Sequence, residues 1–448
     1  MTADDRPAVA LLVVAGSAAS TLARIAEALG PAVRIVPIDV EALVQDAGRR
    51  DRVRYAGPGE IADLMGAQPG MVSRLVTALR RPPFLRPLLD EVFALVRAIR
   101  PVAPTYRRRA AELLRRERVA VLLTCNDVNT ATRSVLAAAR DQGIATVLVQ
   151  EGAFCTITRR RRRWAERAGR LARRVGIGHG LPVDDTYGAF GHDLLLAASD
   201  DYARRFAAAG VRATEVRAIG IPRFDPLAML SPALRARPTV VYVFQPFLRQ
   251  GRVTAGAMAS LEALVDGVAE ARRRVNFDFA IKLHPREDEA TIAHLAARLC
   301  AGVTLLSAEM PMTQVLRAAD VVIGHYSTAL LEAAILDVPV VCVPIPARYF
   351  PETEEAAKQQ WFAVSGLPCA TDAADVVRDL VAALRQRRRN LPLARLDAEV
   401  GPLDGRATDR AAVAVLSLLP VSDCDQMRRH LPRAAAVERA EMLVKQRG

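Results

Sequence analysis

The chain is short of several features that would place it in a class at once. Its 448 residues hold 6 cysteines, at 125, 155, 300, 342, 369 and 424. No two stand in a CxxC or other metal-ligand spacing, so a disulfide framework or zinc site is not expected, and the cysteines read as reduced, mostly buried residues. Aromatic residues make up 5% against 51% hydrophobic, so a globular core built on Ala, Leu and Val is expected. No charge-free apolar run reaches the length that spans a bilayer, which argues against a transmembrane helix. The opening MTADDRPAVALLVV carries acids where a secretory leader needs basic residues, so a cytoplasmic location is expected. Gly16 is not part of a GxGxxG sequence, which removes the dinucleotide fingerprint. The strand-end loops hold no DxD motif that would bring a divalent cation to a diphosphate.

What is present is basic charge and a repeated strand–helix pattern. Formal net charge is +13, carried mainly by arginine, which favours an anionic partner: a nucleotide, an anionic glycan, a membrane surface or nucleic acid. The length suits two domains of ordinary size. Strands are expected at Ala8 to Val14, Val33 to Pro37, Val119 to Thr124, Ala145 to Val149, Asp193 to Ala197 and Glu215 to Ala218, with helices at Thr21 to Leu29, Thr130 to Gln142 and Asp200 to Ala209. Residues 45–115 read as mostly helical and proline-broken, and residues 226–238 as a linker. A second series follows, with strands at Thr239 to Val243, Phe279 to Leu283, Val303 to Leu306, Val321 to Ile323 and Val338 to Val343. Its intervening helices are expected at Ala255 to Arg273, Glu289 to Cys300 and Met312 to Ala318. The fold class is α/β, as two successive parallel-sheet domains at residues 1–225 and 238–390, with a helical segment at 391–448 that returns toward the first.

In open parallel sheets ligands sit outside the carboxyl ends of the strands, so the chemistry is sought there. One strand ends at Lys282-Leu283-His284-Pro285, where Pro285 turns the chain and leaves His284 at the tip. Another ends at Gly324-His325-Tyr326-Ser327-Thr328 and passes into an apolar helix, which gives hydroxyls and unpaired backbone N–H groups suited to phosphate. A third ends at Gln150-Glu151-Gly152, where Glu151 is either a solvated loop carboxylate or, if partly desolvated, a general base. Arg159 to Arg174 is an arginine-rich stretch around Trp164 that fits either a solvated segment or a contact with anionic lipid or acceptor. No nucleic-acid motif accompanies it.

In chain order the motifs QEGA, GIPRFD, VFQP, KLHP and GHYST, the last followed by ALLEAAILDVPVV, resemble the GT-B glycosyltransferases of bacterial capsule and surface polysaccharides. Two groups are similar: the CMP-sugar enzymes (sialyl-, polysialyl- and Kdo-transferases) and the CDP-glycerol or CDP-ribitol phosphotransferases. The resemblance implies two Rossmann-like domains facing each other across a cleft, and metal-independent, inverting transfer of a sugar from a CMP donor to a glycan, glycolipid or small-molecule hydroxyl. No cofactor beyond that co-substrate is implied. It also implies Glu151 as catalytic base, His284-Pro285 at the leaving phosphate, Ser327-Thr328 holding that phosphate, and Glu332 near the ribose. The remaining donor-side candidates are Gln245, Lys282, Gly324 and His325, with Gly152, Asp127 and Arg223 as further candidates. The sialyltransferase motif carries an acid where this chain has Gln150, and the polyol-phosphate enzymes carry histidine where it has Glu151. A carboxylate suits deprotonation of a sugar hydroxyl, which favours glycosyl transfer. Polyol-phosphate transfer, and nucleotide or anionic-membrane binding without catalysis, are the alternatives.

Overall fold

The computed structural model describes residues 6–13, 17–39, 104–128, 130–153, 187–211, 213–233, 236–245, 254–284, 302–325, 327–345, 361–362, 366–367 and 369–419. The expected helix at Glu289 to Cys300, the segment Arg159 to Arg174, Pro285, Tyr326 and most of 45–115 lie outside them. The described residues of Met1–Arg223 and Arg406–Gly448 form one compact unit, and those of Phe224–Gly405 a second.

The first unit contains β1 (Ala8–Val13), α1 (Ser17–Leu29), β2 (Arg34–Asp39), α2 (Pro104–Arg116), β3 (Val119–Thr124), α3 (Thr130–Asp141), β4 (Ala145–Val149), β5 (His192–Ala197), α4 (Asp200–Ala208) and β6 (Ala213–Ala218). The strands form one sheet in the order β2-β1-β3-β4-β5-β6, and every pairing is parallel. Successive side chains on a strand point to opposite faces, which splits β1 between two cores. Val9 and Leu11 pack with Leu22 and Ile25 of α1, whereas Ala8, Ala10 and Leu12 pack with Leu114 of α2 and Val135 of α3. Burial on both faces explains why the inner strands β1, β3 and β4 read as continuous apolar runs.

The second unit contains α5 (Asp225–Ala228), β7 (Thr239–Val243), α6 (Thr254–Arg274), β8 (Asp278–Lys282), β9 (Val303–Leu306), α7 (Met312–Arg317), β10 (Val321–Gly324), α8 (Thr328–Ile335), β11 (Val340–Cys342), α9 (Ala373–Gln386) and α10 (Leu393–Val400). Its sheet is ordered β11-β10-β7-β8-β9, again wholly parallel. Helices α6 and α9 cover one face, where Leu264, Val268, Val376 and Leu380 meet Val240, Phe279 and Ile323. Gly267 makes this approach close: a Cβ there would lie 2.5 Å from Val376 Cβ and 2.9 Å from the Ala373 carbonyl. No helix among the described residues is long and apolar enough to cross a membrane.

Two expected segments behave differently. Residues 226–233, read as linker, pack inside the second unit: Leu227 is buried, and Ala233 N donates to Arg317 O at 3.1 Å. The segment beginning at 391 is divided, since α10 contacts α8 whereas α11 (Ala407–Leu416) packs on α1 in the first unit.

Candidate functional site

In the second unit the strand ends are level. Val243 is paired with Lys282 and with Gly324, and Gly324 with Cys342, so Phe244-Gln245, Leu283-His284 and His325 leave from one edge. From β7 the chain first builds outward to β8 and β9 and then crosses to β10 and β11 on the other side, so the direction of winding reverses between β7 and β10. That reversal opens the crevice in which doubly wound sheets bind ligands. Gly324 closes β10 against β7 there: an added Cβ would sit 2.8 Å from Val243 Cγ2 and 3.3 Å from the Val243 carbonyl.

Ser327 follows in an extended conformation, and its Oγ accepts the Ala329 N–H at 3.1 Å as the N-cap of α8. The hydroxyl keeps its own proton for donation, beside the positive end of the helix dipole. Thr328, Gln245 and His284 are half-buried around this edge, and Glu332 is half-buried one turn along α8.

Lys282 and His325, expected at the donor, are committed to the protein instead. Lys282 is 3% exposed, and its ammonium donates to the carbonyls of Leu283 at 3.0 Å, Ser307 at 2.9 Å and Ala308 at 2.8 Å. Three bonds use all three protons, so the side chain ties the ends of β8 and β9 together and presents no proton to a ligand. Burial pushes its pKa down from the ordinary lysine value. His325 is 1% exposed. Its Nδ1 lies 2.8 Å from Val343 O, which only accepts, so Nδ1 carries the proton and Nε2 accepts from the Tyr242 hydroxyl at 3.0 Å. Ser260 Oγ, 3.3 Å from Nδ1, reaches Pro344 O at 3.0 Å. Burial pushes the His325 pKa down to about 4, partly opposed by the Val343 carbonyl, which keeps the ring neutral near pH 7. This network joins the ends of β7, β10 and β11 to α6.

The first unit carries Glu151 on the edge formed by β3 to β6. Gln150, 2% exposed, anchors it. Its Oε1 accepts the Ala198 N–H at 2.9 Å, its Nε2 donates to Gly152 O at 3.0 Å, and its backbone N–H donates to Leu196 O at 2.9 Å. Tyr187 Oη donates to Val149 O at 2.9 Å, and Arg223 Nε to Glu151 O at 2.8 Å. The backbone around Glu151 is thereby held at Val149 O, Gln150 N, Glu151 O and Gly152 O while the residue itself stays half-buried. The Cys125 thiol, which follows β3, is pushed well up by burial and then by the charge of Glu151. An amide at 150 supplies both donor and acceptor, which an ionised acid could not. This is the physical content of the departure at Gln150.

Asp127 is fully buried and faces protein groups rather than a ligand. It accepts the N–H groups of Gly188 at 2.9 Å and Phe190 at 3.1 Å and lies 3.4 Å from His192 Nε2. Burial works to raise its pKa, but His192, Arg133 and the Gly188 amide outweigh it and hold the carboxyl below the usual range. Tyr242, Ser260 and Tyr187 escaped the sequence reading. The first and last sit on or beside apolar strands, and only their hydroxyls distinguish them from core residues.

Solved structures with the same two-sheet architecture cover nearly the whole chain. A Listeria monocytogenes protein assigned as a UDP-N-acetylglucosamine 2-epimerase is 13% identical over 92% of this chain and 96% of its own, with a TM-score of 0.53. The UDP-GlcNAc 2-epimerase of Methanocaldococcus jannaschii is 12% identical over 91% and 99%, at 0.51. That of Neisseria meningitidis, bound to UDP-GlcNAc, is 12% identical over 92% and 100%, at 0.50. No protein-family model and no curated protein matches the chain. At these identities the likeness is one of fold, and the fold is GT-B, with two Rossmann-like parallel-sheet domains.

Proposed function

We propose that the protein acts on a nucleotide-activated sugar, and that it transfers the sugar, from a CMP donor and with inversion, to a hydroxyl of a polysaccharide, glycolipid or small-molecule acceptor. The observation that carries this reading is the winding reversal between β7 and β10, where Gly324 and the Ser327 cap of α8 leave the same sheet edge as the His284 tip of β8, with β7 between them. A helix N-terminus, two hydroxyls and an imidazole suit the single phosphate of a CMP leaving group, whose charge grows as the glycosidic bond breaks. They suit it without a metal ion, so metal-independent departure belongs to the proposal. Glu151 is the base: its carboxylate takes the acceptor proton as the oxygen attacks the anomeric carbon, and the clamp at Gln150, Tyr187 and Arg223 fixes its direction.

The solved relatives bound to or named for UDP-GlcNAc favour a second reading, in which the donor edge takes a UDP-sugar and the reaction is isomerisation. Incubation with CMP-activated sialic acid and Kdo, CDP-glycerol, CDP-ribitol and UDP-GlcNAc, with products separated by mass, decides among them. Release of CMP with a glycosylated acceptor supports the proposal. Polyol-phosphate transfer, epimerised UDP-sugar, or no turnover of any donor would refute it in favour of the corresponding alternative.

A further inference from the structure

Cys342 and Cys369 are both free thiols, and they face each other across an isolated parallel bridge at the outer edge of the second sheet. The bridge is fixed by Ala370 N donating to Cys342 O at 2.9 Å. Adjacent parallel strands lie about 4.8 Å apart, inside the roughly 4.4–6.8 Å between Cα atoms that a disulfide accepts. We propose that this pair is a site of reversible oxidation, closing an intrachain disulfide when the protein meets a hydroperoxide.

The two sulfurs are unequal in the way such a reaction needs. Cys342 is fully buried, whereas Cys369 is only half-buried and open to a small oxidant. The Cys342 thiol has one proton, which points to the His325 carbonyl at 3.8 Å and can turn instead toward the facing Cys369 sulfur. When that proton turns to Cys369 it stabilises a thiolate there, and the Cys369 pKa falls below the ordinary thiol value despite burial and the nearby Asp379 charge. Cys342 is pushed well up, first by the same hydrogen bond and then by burial. The thiolate is the nucleophile toward peroxide. Cys369 attacks one peroxide oxygen and becomes a sulfenic acid, while the other oxygen leaves as alcohol, or as water from hydrogen peroxide, after taking a proton. Cys342 then attacks the sulfenic sulfur and water departs with the hydroxyl. Two electrons leave the sulfurs and reduce one O–O bond. Cys125 is the internal contrast, since it is buried, faces the Glu151 charge, and has its pKa pushed well up.

The test uses the full chain, reduced, desalted and titrated with hydrogen peroxide, then alkylated and digested with trypsin, which cuts at Arg348 and Lys358 between the two cysteines. The expected result is a linked peptide pair joining Cys342 to Cys369, loss of 2 of the 6 alkylatable thiols, and recovery of both with dithiothreitol. Linkage of Cys369 to Cys155, Cys300 or Cys424, an irreversible sulfinic acid as the main product, or full alkylation after peroxide would overturn the proposal. In Cys342→Ser the reaction should halt at a Cys369 sulfenic acid that dimedone captures. Dimedone capture at another cysteine instead would assign the first step wrongly.

Discussion

The carboxyl edges of the two sheets are built alike and charged differently. In each, deeply buried polar side chains that follow or end a strand bond to backbone groups of the protein. Gln150 and Asp127 do this in the first unit, and Lys282 and His325 in the second. The first edge presents a carboxylate, Glu151, on a backbone held by Arg223 and Tyr187. The second presents a capping hydroxyl, Ser327, at a helix N-terminus, and the histidine beneath it is neutral. One edge is suited to accept a proton and the other to hold an anion, which is the division of labour that transfer from an activated phosphate demands.

Substitutions that separate presenting from anchoring residues sharpen this comparison. The largest effect is expected from Glu151→Gln, which removes the proposed base and should lower transfer by about 10³-fold while nucleotide binding and thermal stability stay near wild type. Steady-state kinetics alongside a binding isotherm measure both. Lys282→Met should act on folding instead: it leaves three carbonyls without their buried donor and should cost about 3 kcal/mol in urea unfolding. A fully stable Lys282→Met with lost nucleotide affinity would return Lys282 to the ligand side.

His325 gives the edge a pH dependence whose sign follows from its depressed pKa. Unfolded histidine takes up a proton near pH 6.5, and the folded ring only near 4. The unfolded state therefore binds more protons between those values, and stability falls as pH drops through that window. From pH 7 to pH 5 this one group should remove about 2 kcal/mol, a slope that His325→Gln should flatten in paired denaturation curves. The smallest effect is expected from Ser327→Ala, where loss of the α8 cap costs about 1 kcal/mol and nucleotide affinity falls several-fold. Unchanged affinity in that variant would break the assignment of the second edge to an anion.

Much of the sheet architecture was legible because strands buried on both faces are uninterrupted apolar runs, and β3, β4 and β7 coincide with them residue for residue, as does the edge strand β9 despite its exposed Thr304 and Leu305. Strand limits strayed where pairing or turns dominate composition. β6 begins at Ala213 because it pairs with β5 from His192, which recruits polar residues at a sheet edge, and β11 starts late because Val338 N is spent on Ala333 O at the end of α8. The proline-rich stretch after 225 was misread because Pro226 serves in the first turn of α5, where a missing N–H costs nothing. At the candidate site the residue types were legible and their directions were not. A lysine at a strand end reads the same whether it meets a ligand or three carbonyls. The usable clue was period two: Phe279 and Ile281 face the α6 and α9 core, which places Lys282 on the other side of the sheet.

The central claim is that the second edge holds the phosphate of a nucleotide, and it is tested most directly by thermal unfolding of wild type and His284→Ala with CMP, CDP, UMP, UDP and GDP. A ligand bound only by the folded state raises the midpoint. CMP should raise it for wild type, and the rise should be lost in His284→Ala. No shift with any nucleotide, or a CMP shift that survives the substitution undiminished, would contradict the claim.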